Sequence, residues 1–351
     1  MLDLLNRDQV RPMRPIGLFD SGLGGLSVLR ALEKRLPAAD YLYFGDTARV
    51  PYGGRPPEEI LRFTLEIGQW FSRRGCGMLL VACNTVSVLG LGPLADAIAP
   101  IPVYGMVDAV LAAALAAAAG GPTAVAGSGQ SPGGQLPWEQ LPAGQLPAEQ
   151  LRPALLLGTE GTIRSGAYQR AFAQAAPGQP LYAQSCPDLV PLVERGELEG
   201  PAVERTLARY LDPWRDKGIR ILILGCTHYP FLLPAIRRYV GDEVTVVDPA
   251  PRMADLAAAG LAADSGAGDG PVPASAPSPG GPTGSGAGDE LAPASAPSPG
   301  GPTGSGVPDG PVGRREFFCS GDPLAFAELG GRLLGRRIES VGKVAQIAES
   351  R

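Results

Sequence analysis

The chain has 351 residues, 44% of them hydrophobic, and carries 30 Lys and Arg against 35 Asp and Glu for a net charge of −5. This composition predicts a globular protein long enough for two domains, and the lack of a basic patch disfavours a nucleic-acid partner. The first eight residues, MLDLLNRD, lack the apolar segment of a signal peptide, and the longest fully apolar run, residues 110–119, is too short to cross a bilayer. We therefore expect no association with a membrane.

The first part of the chain alternates short apolar runs with helical patterns. Strands are predicted at residues 16–19, 41–44 and 78–82, and helices at residues 26–36 and 57–74. Strands that alternate with helices in this way are typical of parallel sheets with helices packed on both faces.

The second part repeats the scheme. Its predicted strands and helices are residues 154–157, a helix from Tyr168, residues 181–183, a helix at 201–212, residues 219–224 and residues 244–247. Because the two halves echo each other, the sequence predicts an α/β fold of two pseudo-symmetric parallel-sheet domains that face each other across an active-site cleft. The predicted N-terminal domain comprises residues 14–106 and 247–351, and the second domain comprises residues 107–246.

Two segments do not resemble core sequence. Residues 265–313 contain 25 Gly or Pro among 49 residues, no aromatic residue, and two copies of PASAPSPGGPTGSG. Such a segment cannot bury enough apolar surface to offset the entropy lost on ordering, so we predict a disordered insertion in the N-terminal domain. Residues 120–150 hold a ten-residue repeat and are predicted to be a low-complexity insertion in the second domain. Their spaced leucines and Trp138 leave docking on the surface as an alternative.

Two predicted strands end in a cysteine. The runs VACNT at residues 81–85 and LGCTH at residues 224–228 place Cys83 and Cys226 at comparable points of the two halves. Open α/β sheets carry their chemistry at this end of the strands, so we interpret the pair as two acid/base thiols facing a shared cleft. The alternative is two buried structural cysteines, since free cysteine is among the most buried residue types.

The chain has five cysteines and one histidine, His228. An odd number of cysteines without the spacing of a disulfide framework predicts reduced thiols in a cytoplasmic protein. A single imidazole excludes any site that needs two, and it disfavours zinc, so we expect no metal. Since His228 lies two residues after Cys226, it could polarise that thiol or bind a substrate carboxylate.

Three loops carry further candidates. The loop DSGLGG at residues 20–25 joins a strand to a helix, and its backbone N–H groups could bind a phosphate or a carboxylate. Asp20 in this loop could orient or deprotonate a thiol, although an ordinary strand-to-helix turn is the alternative. The run GTEGT at residues 158–162 could present hydroxyls to the cleft. In the run CPDLVPLVE at residues 186–194, Glu194 is a second carboxylate candidate.

Taken together, these residues resemble glutamate racemase. The motifs that carry the resemblance occur in order as DSGLGG at residue 20, PYGGR at 51, ACNT at 82, GTEGTI at 158, CPDLVPLVE at 186, GCTHYP at 225 and VVDP at 246. Any one of them is weak, but seven in order are specific. The resemblance covers nearly the whole chain apart from the two insertions.

The resemblance implies an enzyme that interconverts L- and D-glutamate for peptidoglycan synthesis, with two protein bases and no cofactor. It implies that Cys83 acts on the D-enantiomer and Cys226 on the L-enantiomer. Asp20 would assist Cys83, and Glu194 and His228 would assist Cys226. The positions that match substrate contacts are Asp20, Ser21, Tyr52, Gly53, Asn84, Thr85, Thr227 and His228. The expected partner is the small-molecule substrate glutamate, and a homodimer is an open expectation.

Three alternatives stay open on the sequence. Another racemase of the superfamily, acting on aspartate, differs in the depth of its pocket. A thiol redox or metal-binding protein is disfavoured because the cysteines lack C-x-x-C spacing. A non-catalytic binding protein with the same fold is disfavoured by the presence of both cysteines, although fold alone does not fix function.

The composition of residues 265–313 generates a prediction. Replacing this segment with a short Gly/Ser linker should leave turnover within about threefold and the melting temperature almost unchanged, because few apolar contacts are lost. Steady-state kinetics and thermal denaturation of the deletion variant test this, and limited proteolysis of the parent protein should cut first in the same segment. Loss of the folded state on deletion would contradict the prediction.

Overall fold

The computed structural model describes residues 14–118, 152–178, 180–265 and 312–344. The predicted insertion at residues 120–150 lies outside the described residues. The same holds for the predicted insertion at residues 265–313, except for its two ends. Nothing in the structure therefore tests the two insertion predictions.

The described residues form ten strands and twelve α-helices. The strands are β1 (Ile16–Asp20), β2 (Tyr41–Gly45), β3 (Met78–Val81), β4 (Val103–Gly105), β5 (Ala154–Gly158), β6 (Leu181–Ser185), β7 (Ile221–Gly225), β8 (Thr245–Val247), β9 (Arg315–Cys319) and β10 (Gly342–Lys343). The helices are α1 (Leu26–Arg35), α2 (Pro57–Arg73), α3 (Asn84–Leu89), α4 (Leu91–Ala97), α5 (Met106–Ala118), α6 (Glu160–Ser165), α7 (Ala167–Ala175), α8 (Leu189–Glu194), α9 (Pro201–Leu211), α10 (Leu233–Val240), α11 (Ala250–Ser265) and α12 (Pro323–Leu334). Two 3₁₀ helices, Asp212–Lys217 and Tyr229–Leu232, flank β7.

The strands form two parallel sheets. The first has six strands in the order β10-β9-β2-β1-β3-β4, and the second has four in the order β6-β5-β7-β8. Every strand pair is parallel, and the central strand β1 pairs Ile16 with Tyr41 on one side and with Met78 on the other. The predicted fold class, α/β with two parallel sheets, is confirmed.

The chain returns to its first sheet at the end. After β8 closes the edge of the second sheet, helix α11 packs against both α1 and α5. Strand β9 then pairs with β2 in the first sheet, where Arg315 lies opposite Tyr41. The domain boundaries after residues 106 and 246 stay a prediction, because α11 contacts helices of both halves.

Local sequence explains where the helices begin and end. Helix α2 begins with Pro57, whose fixed φ suits the first helical turn, and carries Glu58 and Glu59 near the positive end of the helix dipole. Helix α12 begins after Asp322, whose carboxylate accepts the backbone N–H of Leu324 at 2.9 Å. It ends at Gly335 with φ of 71°, a conformation that favours glycine.

The core joins the two sheets. One continuous cluster of buried apolar side chains runs from Leu18 and Leu80 of the first sheet to Leu157 and Leu224 of the second. Such a shared core fixes the two sheets relative to each other and so positions the loops between them. Among the described residues, no helix combines the length and the apolar character needed to span a membrane.

An aromatic cluster connects strand β9 to helix α2. The Trp70 ring lies 5.0 Å from each of the rings of Phe44, Phe71 and Phe318, measured between centroids. Phe318 is on β9, so Trp70 connects the last large strand of the first sheet to the helix that covers it. Aromatic pairs in this range contribute beyond their buried area.

This cluster generates a prediction. Trp70→Ala should lower the free energy of unfolding by about 3–5 kcal/mol, because it leaves a cavity among three rings. Chemical denaturation measures the change. Leu324→Ala is the matched control, since Leu324 is 80% exposed and its truncation should change stability by no more than about 0.5 kcal/mol. Equal stability of the Trp70 variant and the parent would contradict the role assigned to the cluster.

Candidate active site

The loops at the carboxyl ends of the two sheets meet in one pocket. The pocket measures about 300 Å³, counting space that opens to solvent. Its lining residues are Ser21, Pro51, Tyr52, Gly53, Cys83, Asn84, Thr85, Thr159, Val190, Cys226, Thr227 and His228. Cys83 and Cys226 are each 5% exposed, so the two thiols share one largely closed site.

Cys83 follows β3 and caps the beginning of α3. Its thiol donates to the Ser21 hydroxyl, with Sγ and Oγ 3.5 Å apart. Burial raises the pKa of Cys83 to about 12, and the negative charge of Asp20 adds to this. In the unliganded protein Cys83 is therefore a neutral thiol at physiological pH.

Cys226 follows β7 and lies beside a histidine–carboxylate pair. Cys226 Sγ is 3.7 Å from His228 Nδ1, and His228 Nε2 is 2.7 Å from Glu194 Oε1. Burial lowers the pKa of His228, but hydrogen bonding and the charges of Cys226 and Glu194 outweigh it and raise that pKa well above its ordinary value. Conversely, burial raises the pKa of Glu194, but the hydrogen bond and charge of His228 lower it overall. The imidazole is thus held as a cation next to a thiol.

Asp20 is fully buried at the end of β1 and bonds across the two halves. Its carboxylate accepts the backbone N–H of Gly22 at 2.9 Å and the hydroxyl of Thr227 at 3.0 Å. Burial raises the pKa of Asp20, and the charge of His228 with these hydrogen bonds opposes the shift only in part. The residue joins the loop after β1 to the loop after β7.

Two N–H groups of the glycine-rich loop at residues 20–25 are occupied by the protein itself. The Gly22 N–H donates to Asp20, and the Leu23 N–H donates to Glu194 Oε1 at 3.0 Å. For these two donors the interpretation as a site for a phosphate or carboxylate ligand does not hold. For the other N–H groups of the loop it stays a prediction.

The glycines of this loop permit a close approach between the halves. A Cβ at Gly22 would lie 2.4 Å from Glu194 Oε1. A Cβ at Gly24 would lie 2.4 Å from both His228 Nδ1 and Thr227 Oγ1. No real Cβ tolerates such contacts, so the loop needs glycine at both positions to pack on Glu194 of α8 and on the loop that carries Cys226.

A polar wall of the pocket is built from both halves. Thr85 and Thr159 share a hydrogen bond of 2.9 Å between their hydroxyls, and Thr162 lies 3.0 Å from Thr159 behind them. Asn84 accepts a hydrogen bond at its Oδ1, while its buried Nδ2 has no partner among the described residues. The wall therefore offers hydroxyls and an unused amide donor to an anionic ligand.

The segment Pro51 to Gly53, which also lines the pocket, is anchored by a buried carboxylate. Asp46 accepts hydrogen bonds from Tyr52, from Arg49 Nε at 2.6 Å and from Ser320 Oγ at 2.6 Å. At the other end of this segment, the Gly53 carbonyl accepts the Gly161 N–H at 2.6 Å. The segment is thus fixed to both halves.

The structure gathers the residues that the sequence singled out. Those that line the pocket are Ser21, Tyr52, Gly53, Cys83, Asn84, Thr85, Cys226, Thr227 and His228, while Asp20 and Glu194 lie behind them in hydrogen-bond contact with Thr227 and His228. Thr159 lines the pocket as the hydroxyl-bearing loop at residues 158–162 suggested. Pro51 and Val190 were not singled out, although both lie inside motifs that were.

Three cysteines lie away from the pocket. Cys76, Cys186 and Cys319 are buried and do not line it. The structural interpretation therefore fits these three better than the pair at the strand ends. Within the ranges that the structure describes, there is no group of three or more His, Cys, Asp and Glu residues that could hold a metal ion.

The protonation of Cys83 generates a prediction. Because its pKa of about 12 lies far above neutral, the alkylation rate of Cys83 by iodoacetamide should rise about tenfold per pH unit from pH 7 to pH 9.5. Mass spectrometry of the Cys83 peptide from substrate-free protein measures the rate, and a Cys83→Ser variant identifies the signal. A plateau below pH 9 would show a thiolate that burial has not suppressed.

Comparison with known proteins agrees with this geometry. Residues 143–257 match the family model Asp/Glu/Hydantoin racemase. A glutamate racemase from Geobacter metallireducens is 38% identical over 247 residues, which cover 70% of this chain and 80% of that one. A glutamate racemase from Beutenbergia cavernae is 35% identical over 342 residues, covering 95% and 94%.

A solved structure extends the similarity to three dimensions. The glutamate racemase from Thermus thermophilus, in complex with β-chloro-D-alanine, superposes with a TM-score of 0.65 at 32% identity. The match covers 95% of this chain and 97% of that one. With this identity over most of its relatives' length and the same fold, the chain belongs to the glutamate racemase family.

Proposed function

We propose that this protein racemises glutamate by proton transfer between two thiols and the α-carbon, without a cofactor. The observation that carries the proposal is that Cys83 and Cys226 line the same pocket and are each 5% exposed. Cys83 follows a strand of the first sheet, and Cys226 follows a strand of the second. Two buried thiols in one pocket provide a base for one face of the α-carbon and an acid for the other. Because these relatives are glutamate racemases, glutamate is the proposed substrate.

The two thiols have different surroundings, and this difference supports a specific assignment of base and acid at the start of the reaction. The His228 cation is 3.7 Å from Cys226 Sγ, so a positive charge lies beside that sulfur when it acts as a base. Cys83 is a neutral thiol, since its pKa is raised to about 12. In this state Cys226 is the base and Cys83 is the acid, which matches the role of Cys226 toward L-glutamate that the resemblance implies.

The proposed reaction moves one proton at each face. The Cys226 thiolate takes the α-proton of L-glutamate, and the electron pair stays on the α-carbon. The Cys83 thiol then gives its proton to the opposite face, which produces D-glutamate and leaves Cys83 as the thiolate. The reverse reaction begins from that state, so each direction needs one thiolate and one thiol.

The buried carboxylates support this cycle in the proposed roles. Glu194 holds His228 through a 2.7 Å hydrogen bond, and His228 stabilises charge on Cys226. The charge of Asp20 acts on Cys83, and burial raises the pKa of Asp20 above its ordinary value, which suits a carboxyl group that assists proton transfer at that thiol. Within the pocket, donors for the substrate carboxylates are provided by Ser21, Asn84, Thr85 and Thr227. Tyr52 and Gly53 line the same pocket.

We infer that the product D-glutamate is supplied to peptidoglycan synthesis, as the resemblance implies. Location in the cytoplasm and assembly as a homodimer stay predictions. The alternative that the protein acts on aspartate is tested by comparing D-aspartate with D-glutamate as the substrate. The binding-protein and thiol redox alternatives are less well supported, because both thiols are placed in one pocket beside a charged imidazole.

The decisive experiment uses the purified protein without added cofactor. In deuterium oxide, circular dichroism should show D-glutamate losing its optical activity while mass spectrometry shows deuterium entering the α-position. D-aspartate should be turned over far more slowly. Activity that disappears on dialysis and returns only with pyridoxal phosphate would overturn the two-thiol mechanism.

The division of labour between the thiols gives a second prediction. Cys83→Ser and Cys226→Ser should each lower racemisation in both directions by several orders of magnitude, because serine is a far weaker base. With a β-chloro analogue of glutamate, chloride leaves as the α-proton is removed, so the far-side acid is not needed. Cys83→Ser should then eliminate HCl from the L-like analogue only, and Cys226→Ser from the D-like analogue only.

The control for this experiment is Cys76→Ser. Cys76 is 1% exposed and lies outside the pocket, so its variant should racemise glutamate like the parent. Chloride release from each analogue measures the outcome. Equal elimination from both analogues by either site variant would show that Cys83 and Cys226 are not opposed bases.

A further inference from the structure

A tyrosine from the second half touches a pocket residue of the first. Tyr168 lies on α7, is fully buried, and packs its ring in a cluster that includes Phe172 and Ile223. Its hydroxyl donates to Asn84 Oδ1 at 2.5 Å. Tyr168 does not line the pocket, so it acts on the pocket through Asn84.

The two ends of the Asn84 amide are thereby made different. Oδ1 is occupied by Tyr168, while Nδ2 is buried and has no partner among the described residues. A buried amide N–H without an acceptor is costly, so its presence in a lining residue points to a ligand that supplies the acceptor. The carboxylate oxygens of an amino-acid substrate are acceptors of this kind.

The phenol is a lasting donor. Burial raises the pKa of Tyr168 well above its ordinary value, and the charge of Asp108 adds to this. The hydroxyl therefore keeps its proton at neutral pH and stays a donor. If Asn84 were rotated by 180°, its carbonyl oxygen would face the pocket and repel a carboxylate.

We propose that Tyr168 is a positioning residue that holds the Asn84 amide with its N–H groups toward the substrate, so that Asn84 binds a carboxylate of glutamate. The proposal rests on the proposed function. It also connects the two halves, because α7 lies between β5 and β6 of the second sheet and Asn84 begins α3 after β3 of the first sheet. Asn84 has the correct orientation only when both halves are docked.

The test is Tyr168→Phe, which removes one hydroxyl and keeps the ring. We expect the KM for D- and L-glutamate to rise about tenfold while kcat stays within about threefold, because the lost orientation weakens binding rather than proton transfer. Tyr41→Phe is the matched control. Tyr41 is equally buried and its hydroxyl bonds to the carbonyls of Leu32 and Leu36 away from the pocket, so its KM should not change.

A double-mutant cycle separates positioning from a general effect on the fold. In an Asn84→Ala background, Tyr168→Phe should change KM by less than about twofold, because the residue through which it acts is gone. An unchanged KM for Tyr168→Phe alone, or an equally large rise in the Asn84→Ala background, would overturn the proposal.

A second variant tests the same idea without altering Tyr168. Asn84→Asp keeps an acceptor for the phenol but removes both amide donors, so it should raise the KM for glutamate at least tenfold. A parent-like KM for Asn84→Asp would overturn the proposal. Failure of the proposed function is distinguishable from failure of this inference, since the parent protein itself would then not racemise glutamate.

Discussion

The site depends on buried carboxylates that are bound by groups from the other half. Asp20 is the last residue of β1, yet the side-chain hydroxyl that binds it belongs to Thr227, which follows β7 in the chain. Glu194 is the last residue of α8, yet one of its donors is the backbone N–H of Leu23, which follows β1 in the chain. Burying a carboxylate is costly without hydrogen-bond donors, and docking of the two halves both removes these carboxylates from water and supplies part of their donors. Docking and assembly of the site are therefore the same event.

This constraint explains how a pseudo-symmetric fold produces an asymmetric pair of thiols. Both cysteines follow a central parallel strand, and both are equally buried. The charges beside them differ, because Cys83 has the Asp20 carboxylate as its neighbour and Cys226 has the His228 cation. The repeat of the fold sets the positions of the thiols, and single residues in the loops set the charges beside them.

Much of this was accessible from the sequence, for physical reasons. Strands buried on both faces appear as continuous apolar runs, so β1, β3 and β7 were predicted within one or two residues. Parallel strands carry their chemistry at the carboxyl end, which directed attention to Cys83 and Cys226. The resemblance added Asp20 and Glu194 to the predicted roles.

The parts that sequence did not reveal depend on docking. The contact between Tyr168 and Asn84 spans 84 positions and has no local signature. Likewise, the loop at residues 20–25 has the composition of an anion site, and only the packed structure shows that Glu194 reaches its donors. Strand β9 begins with two charged residues, Arg315 and Glu316, and is only partly buried, so it lacks the apolar run that marks the central strands.

The return of the chain to its first sheet has a consequence for biosynthesis. Strand β2 can pair with β1 as soon as both have left the ribosome, but its other edge stays open until Arg315–Cys319 emerge. The four strands of the second sheet are complete by residue 247, well before that point. During synthesis the second sheet can therefore close first, while the earlier-made sheet carries an exposed edge through most of translation. An open edge of this kind is a site for chaperone binding or for mispairing, so folding in the cell depends on the last quarter of the chain.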